Sequence, residues 1–279
     1  MSTIKIVPPQ FSAIQEKGYL EFHRGRAPLR AFHDNADIKE FYLARVKAHR
    51  AADELEKGVY WENGRGCAIG CTLHSDSHGD YELRLGIPRA LAVIEETIFE
   101  ALATRDAKDW PVRFLESIPV GADLSGVVFG LMDWMLSDAA SGLMGGPWTI
   151  DVDYALICLH GICEKAARGD LLFDSDWFEV MSEFFGETKG KSRYAFSCGK
   201  NMARAGYVLR LLSDEEHQTI SRFEEADGHI ADFVIQFVTA HAGEKAATDV
   251  RDAIYLEVAD KLLELLAAAP VPTLPPVAL

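Results

Sequence analysis

The segment from residue 58 to residue 88 holds most of the side chains of this chain that could act in catalysis. Cys67, Cys71, His74 and His78 follow one another in it at spacings of four, three and four residues, among several glycines. A long glycine-rich stretch with such side chains in a helical protein is more often functional than not. We therefore expect the site of this protein within residues 58–88.

A cysteine enzyme is one interpretation of this segment. The run Glu62-Asn-Gly-Arg-Gly-Cys67 is typical of a turn that enters a helix, which would place the Cys67 sulfur near unpaired amide hydrogens and the positive end of the helix dipole. Arg65 would add positive charge, and His74 or His49 would accept the thiol proton. On this interpretation Cys67 and His74 are catalytic, and Cys67 is a more acidic thiol than Cys71.

A structural role is the other interpretation of the same cysteines. Cys67 and Cys71 are one helical turn apart and would pack inward together. A metal site is not expected, because on a straight helix Cys67 and His78 would lie about 16 Å apart, too far to bind one zinc ion. The glycines also miss the dinucleotide-binding spacing, so we expect neither a metal nor a cofactor.

The stretch from His49-Arg-Ala-Ala-Asp to Ile87-Pro88, with Gly58-Val-Tyr-Trp-Glu-Asn-Gly-Arg-Gly-Cys-Ala-Ile-Gly-Cys-Thr-Leu-His-Ser75 inside it, resembles a block that recurs in uncharacterised bacterial and phage proteins. The resemblance covers about a sixth of the chain and implies a bacterial or phage context. It implies no activity and assigns no catalytic residue. We expect ligand contacts in this block, from the side chains Trp61, Arg65, Cys71, His49 and His78.

The elements that must position these residues are predicted to be helices. Between Leu29 and Ala269 the chain has few prolines, whereas its last ten residues contain four. Helices can therefore run through the interior, and the proline-rich end cannot continue one. We predict an all-α protein, an irregular multi-helix bundle with a glycine-rich insert near residues 58–80. Residues 1–269 would form one domain with a soft internal boundary near 141–147, and 270–279 a disordered tail.

Apolar stripes at helical spacing support this fold class. The first follows Pro88 and has glutamates 95, 96 and 100 between its apolar positions, and the other two lie near the C-terminus. The stripes comprise Leu91, Ile94, Ile98 and Leu102; Ile230, Phe233, Val234, Phe237 and Val238; and Ile254, Val258, Leu262 and Leu265. Helix starts are predicted at Asp174 and at a capping box from Ser213 to Glu216, and short strands at 5–7 and 58–61.

Charge and cysteine content limit the classes of function. The formal charge of -15 repels phosphate backbones and anionic lipid surfaces, so neither nucleic acid nor membrane is an expected partner. Five cysteines and the absence of a secretory pattern at the start indicate reduced thiols and a cytoplasmic protein. We expect a binding protein for a small ligand or a protein partner. The alternatives are a cysteine-dependent enzyme using Cys67 or Cys71 with a histidine base, and a phage-related mimic of DNA.

Overall fold

A computed structural model describes residues 29–75, 77–137, 142–146, 150–170, 172–186, 192–212 and 220–273. Twelve α-helices make up most of this part of the chain, which confirms the predicted all-α multi-helix fold. In chain order they are α1 (Ala36–Ala51), α2 (Ala68–Leu73), α3 (Gly79–Leu85), α4 (Arg89–Ala101), α5 (Thr104–Ala107), α6 (Trp110–Ser117), α7 (Val127–Ser137), α8 (Ile150–Ala167), α9 (Asp174–Glu183), α10 (Ser192–Leu211), α11 (Ile220–Ala242) and α12 (Thr248–Ala267).

Shorter elements join these helices. Single 3₁₀ turns cover Ala31–Asp34 and Leu143–Gly145, and a two-stranded sheet is formed by β1 (Trp61–Glu62) and β2 (Arg65–Gly66). The strands are antiparallel, with Trp61 opposite Gly66 and Glu62 opposite Arg65. The predicted strand at 5–7 and the capping box at 213–216 lie outside the described residues. None of the described helices has the length and apolar character needed to cross a membrane.

The glycine-rich insert is an ordered hairpin that leads into a short helix. Asn63 and Gly64, which connect the strands, both have positive φ, 51° and 83°. This is the backbone of the tight turn that Asn-Gly favours between antiparallel strands. A Cβ at Gly66 or Gly70 would lie 2.1 or 1.5 Å from the carbonyl oxygen of Tyr60. Glycine at these two positions therefore lets the hairpin lie directly against α2.

The apolar stripes form the core largely as predicted. All five apolar residues of the α11 stripe are fully buried, as are Leu91, Ile94 and Ile98 of α4. On α12 the buried face is displaced towards Tyr255, Ala259 and Leu266, with Val258 and Leu262 shared between the predicted and observed faces. The buried apolar residues before and after 141–147 belong to one continuous cluster. A single core thus extends across the segment where the sequence suggests a soft boundary.

Residues 270–273 differ from the expected disordered tail. The carbonyl oxygen of Pro270 accepts a hydrogen bond of 2.8 Å from the amide of Asp123. That of Pro272 accepts one of 2.9 Å from the guanidinium of Arg30. Proline has no amide hydrogen to donate, but its carbonyl still accepts, and these two bonds attach the chain to the body. Residues 274–279 lie outside the described part.

Candidate functional site

Two groups of chemically active side chains lie beside the hairpin and α2. Tyr60, directly before β1, and Trp61, the first residue of β1, belong to different groups. Tyr60 lines a cavity together with Cys67. The Trp61 ring instead stacks on the imidazole of His74, with 4.1 Å between the ring centroids and 10° between the planes. We call these groups the cavity site and the histidine cluster.

Cys67 is the N-cap residue of α2, as the turn-to-helix prediction places it. Its sulfur accepts a hydrogen bond of 3.5 Å from the amide of Gly70. Its thiol donates to Oε1 of Glu96 on α4 at 3.3 Å. The side chain is 1% exposed, so the sulfur meets the cavity only at its wall.

The expectation of an acidic Cys67 thiol is wrong. Burial raises the pKa of this thiol far above its ordinary value, and the carboxylate of Glu96 raises it further, while the amide hydrogens of Gly70 and Ile69 lower it. Two amide dipoles at the start of a six-residue helix are too little to offset burial beside a negative charge. Cys67 is therefore a thiol at neutral pH.

Glu96 connects Cys67 to His78. Nε2 of His78 donates a hydrogen bond to Oε2 of Glu96, whose other oxygen accepts from Cys67. The side chains of His78 and Glu96 are 18% and 14% exposed. The order of groups is thiol, carboxylate, imidazole, so the nearest proton acceptor for Cys67 is a carboxylate rather than a histidine.

The cavity site has a volume of about 520 Å³. Its wall carries the carboxylates of Glu96 and Glu100, one turn apart on α4, and no lysine, arginine or histidine is found among the described residues that line it. The lining is completed by Gly58, Val59, Tyr60, Cys67, Thr97, Ala101, Ile235 and Tyr255. The cavity is therefore negatively charged with partly aromatic walls.

Glu100 is held in place by the start of the hairpin. The amide of Gly58 donates to both of its carboxylate oxygens, each at 3.0 Å. Burial raises the pKa of Glu100, and the hydrogen bond from Gly58 and the charge of Lys57 oppose that rise. A carboxylate that is partly stripped of water in this way interacts more strongly with an incoming cation.

Glu95, the neighbour of Glu96, points into the core. It is fully buried, and Oε2 accepts a hydrogen bond of 2.6 Å from the hydroxyl of Tyr81. Burial raises the pKa of Glu95 to about 8, so its carboxyl is protonated at neutral pH. The sequence placed Glu95 with Glu96 and Glu100 between the apolar residues of this helix, and for Glu95 that placement is wrong. It lies four residues after Leu91, on the apolar face itself.

The histidine cluster lies at the other end of α2. Nδ1 of His49 lies 2.6 Å from Oε2 of Glu54, and because a carboxylate only accepts, His49 carries its proton on Nδ1. Nε2 of His49 lies 2.8 Å from Nε2 of His74. The free Nε2 of a neutral His49 must accept the Nε2 proton of His74. The cluster is a continuous line of hydrogen bonds from His74 through His49 to Glu54.

The imidazole of His74 stays neutral over the physiological pH range. Partial burial of the ring, the positive charges of Arg45 and Arg84, and the neighbouring His49 lower its pKa to about 4. Both guanidinium groups bind the carbonyls that end α2, Arg45 to Thr72 at 3.0 Å and Arg84 to Leu73 at 3.0 Å. These contacts fix two cations directly before His74.

The predicted catalytic pair of Cys67 and His74 does not assemble. The two residues lie at opposite ends of α2, and among the described residues no hydrogen bond joins them. The reason is local: α2 ends at Leu73, and His74 turns the chain with φ of 55°. His74 instead pairs with His49 and Trp61, two of the predicted ligand-binding residues.

The remaining predicted ligand-binding residues differ in their surroundings. Arg65 is 58% exposed and lies 3.7 Å from the carboxylate of Glu56. The Cys71 thiol is fully buried and donates to the carbonyl of Gly66 at 3.3 Å, and burial raises its pKa to about 12. Neither side chain lines the cavity site. The packing role considered for Cys71 agrees with this environment.

Sequence reasoning missed the glutamates of both groups. Glu54 comes five residues after His49, and Glu96 and Glu100 lie on a helix separate from the glycine-rich insert. Their hydrogen bonds with His49, Cys67 and Gly58 form only when the chain folds. The only signal in the sequence was the repeat of glutamate one turn apart at 96 and 100, which a solvent-facing helix would show equally well.

A larger cavity of about 700 Å³ lies between α4, α7, α10 and α11. Its walls are mainly apolar and carry six charged residues, of which Arg89 and Asp227 are joined to each other by hydrogen bonds as short as 2.5 Å. The structure groups no three His, Cys, Asp or Glu side chains of its described residues in a way that would hold a metal ion. We therefore take the cavity site and the histidine cluster as the candidate functional centres.

Comparison with protein-family models, curated proteins and solved structures finds no match to this chain. The resemblance of residues 49–88 to bacterial and phage proteins stays an expectation. Function must therefore be inferred from the chemistry of the two groups.

Proposed function

We propose that the protein binds a small organic cation, an amine or a guanidinium compound, in the cavity site. The observation that carries this proposal is the pair of carboxylates, Glu96 and Glu100, in a cavity wall whose described residues include no basic side chain. A cation entering the cavity would be attracted by both carboxylates, in a place where water screens them poorly. An anion of the same size would be repelled.

The aromatic residues of the wall favour the same class of ligand. Tyr60 and Tyr255 both line the cavity, and the face of a tyrosine ring attracts a cation by about 0.5–2 kcal/mol. The volume of about 520 Å³ falls within the range of about 300–1,000 Å³ that small-molecule sites occupy. Size, charge and wall chemistry thus support one ligand class.

Calorimetric titration with agmatine and putrescine tests the proposal, with adipate as an anion of similar length. We expect both cations to bind and adipate not to bind. Glu96→Gln and Glu100→Gln keep side-chain shape, remove one charge each and should weaken cation binding by about tenfold or more. The control is Glu62→Gln, on the exposed hairpin and outside the cavity lining. Equal affinity in all three variants would refute the site.

Cysteine chemistry on the bound cation is the second candidate function. It is favoured by the distance of 3.3 Å between the Cys67 sulfur and Oε1 of Glu96, because a carboxylate at that distance can take the thiol proton. The base would then be Glu96, in place of the histidine that the sequence suggested. A cation in the cavity would also offset the negative charge that keeps Cys67 protonated.

A pair of alkylating reagents separates this function from simple binding. 2-Chloroacetamidine is a cation and iodoacetamide is neutral, so the cavity should concentrate the first beside Cys67. We expect the ratio of Cys67 to Cys158 modification to be higher with the cationic reagent, Cys158 being a partly exposed internal reference. The same ratio with both reagents would contradict the catalytic interpretation. The binding proposal would still be decided by the calorimetric titration.

A further inference from the structure

The cation-binding proposal gives no role to the hydrogen-bonded line of His74, His49 and Glu54 in the histidine cluster. We propose that His74 is a phosphoryl-accepting histidine, whose Nδ1 attacks a small phosphoramidate-type donor while His49 and Glu54 take up the proton of the ring. The ligand class in this proposal is a phosphoryl donor with a labile P–N bond.

The order of the three groups supports this role of His74. In an activated nucleophile the attacking side chain is hydrogen-bonded to a base, and the base is oriented by a third group. Here Nε2 of His74 lies 2.8 Å from Nε2 of His49, and Nδ1 of His49 lies 2.6 Å from Glu54. The carboxylate fixes the tautomer of His49 and stabilises the imidazolium that forms when it accepts a proton.

The orientation of the His74 ring supports the same role. Its Nε2 edge faces His49, and the stacked Trp61 covers one face. No hydrogen bond to Nδ1 is found among the described residues, and His74 as a whole is exposed. Its φ of 55° is uncommon for a residue other than glycine. The backbone and Trp61 together present Nδ1, the nitrogen with the free electron pair, to an incoming reagent.

The charge around His74 also favours a phosphoryl group at this position. The guanidinium groups of Arg45 and Arg84 bind the last two carbonyls of α2, at Thr72 and Leu73. A phosphoryl group attached to His74 would carry close to two negative charges, and arginines stabilise such a group strongly. Arg84 also pairs with Asp80 at 2.7 Å, so Arg45 is the arginine whose charge is less offset.

The Nδ1 electron pair of His74 forms a bond to phosphorus, and the P–N bond of the N-protonated phosphoramidate zwitterion breaks, its electron pair leaving with ammonia. The Nε2 proton of His74 moves to Nε2 of His49, whose positive charge is stabilised by Glu54. The released ammonia then takes that proton from His49, directly or through a water molecule. The products are His74 phosphorylated on Nδ1 and ammonium.

Incubation of the full chain with potassium phosphoramidate tests the inference. We expect one acid-labile addition of about 80 Da, located at His74 by peptide mass mapping and assigned to Nδ1 by phosphorus NMR. His49→Gln removes the base and should slow the reaction by about tenfold or more. Arg45→Gln should slow it by a smaller factor. His241→Gln, on α11, is the matched control and should react like the original protein.

His74→Asn should abolish the addition, and asparagine tolerates the backbone conformation of this position. If that variant fails to fold, the isomer assignment and the rate of His49→Gln still decide the question. Phosphorylation on Nε2, equal rates for His49→Gln and the original protein, or no reaction at His74 would each overturn the inference. None of these results depends on cation binding in the cavity site.

Discussion

Replacing Glu95 with glutamine should make the protein more stable, and increasingly so as the pH rises. The unfolded chain ionises this carboxyl near its ordinary pKa of 4.5, whereas the folded protein keeps it protonated up to a pKa of about 8. Since the folded state binds the extra proton, folding becomes less favourable as pH rises from about 4.5 to about 8. The linkage relation gives a cost on the order of 3 kcal/mol at pH 7.

Glutamine resembles the protonated carboxyl and can still accept the hydrogen bond from Tyr81. It cannot ionise, so the pH-dependent cost should disappear. Urea denaturation of both proteins between pH 5 and pH 8 measures the effect. The stability difference in favour of the glutamine variant should grow by about 3 kcal/mol over this range, with the original protein serving as control for every other titrating group. A difference that stays constant with pH would show that Glu95 is ionised in the folded protein.

Further predictions concern two glycines, the order of thiol labelling and the titration of His74. Gly70→Ala places a Cβ 1.5 Å from a backbone oxygen of the hairpin and should cost more than about 3 kcal/mol in urea denaturation. Gly228→Ala is the control, because its Cβ would lie in open space on α11. It should stabilise the folded protein by about 0.5–1 kcal/mol, which would show that the loss of stability at Gly70 is specific to that position. Cys158 is partly buried and the other four cysteines are buried, so timed iodoacetamide labelling should modify Cys158 first; labelling of Cys67 before it would contradict the structure. The His74 imidazole should titrate near pH 4 by NMR, and a midpoint near 6.5 would show that it lacks the described surroundings.

The sequence predicts the helices well and the site only in part. The α11 stripe and the start of α9 at Asp174 follow from apolar spacing and capping, where Asp176 accepts a 2.7 Å hydrogen bond from the amide of Phe173. These are local signals. The link between Cys67 and Glu96 is made by two elements that meet only in the folded protein.

The helix that holds Cys158 shows the limit of periodicity, because the spacing of Tyr154, Ile157, Cys158 and Ile162 predicts that they share one buried apolar face. Tyr154 and Ile157 are 58% and 57% exposed, and the buried face of α8 instead includes Val152, Leu156 and Leu159. Both sets of residues recur at helical spacing, since α8 is apolar over much of its circumference. Which face is buried is decided by the neighbouring helices, and a single sequence does not contain that information.

The shortness of α2 has a consequence for how the two groups of residues communicate. Its N-cap residue is Cys67, in the wall of the cavity, and the residue after its end is His74. At about 1.5 Å per residue the helix is about 9 Å long, and it is too short to bend appreciably. A ligand that displaces one end must therefore shift the other. Any coupling free energy between the two centres would be reciprocal. If a bound cation shifts the equilibrium of His74 modification by some factor, modification of His74 changes the affinity for the cation by the same factor.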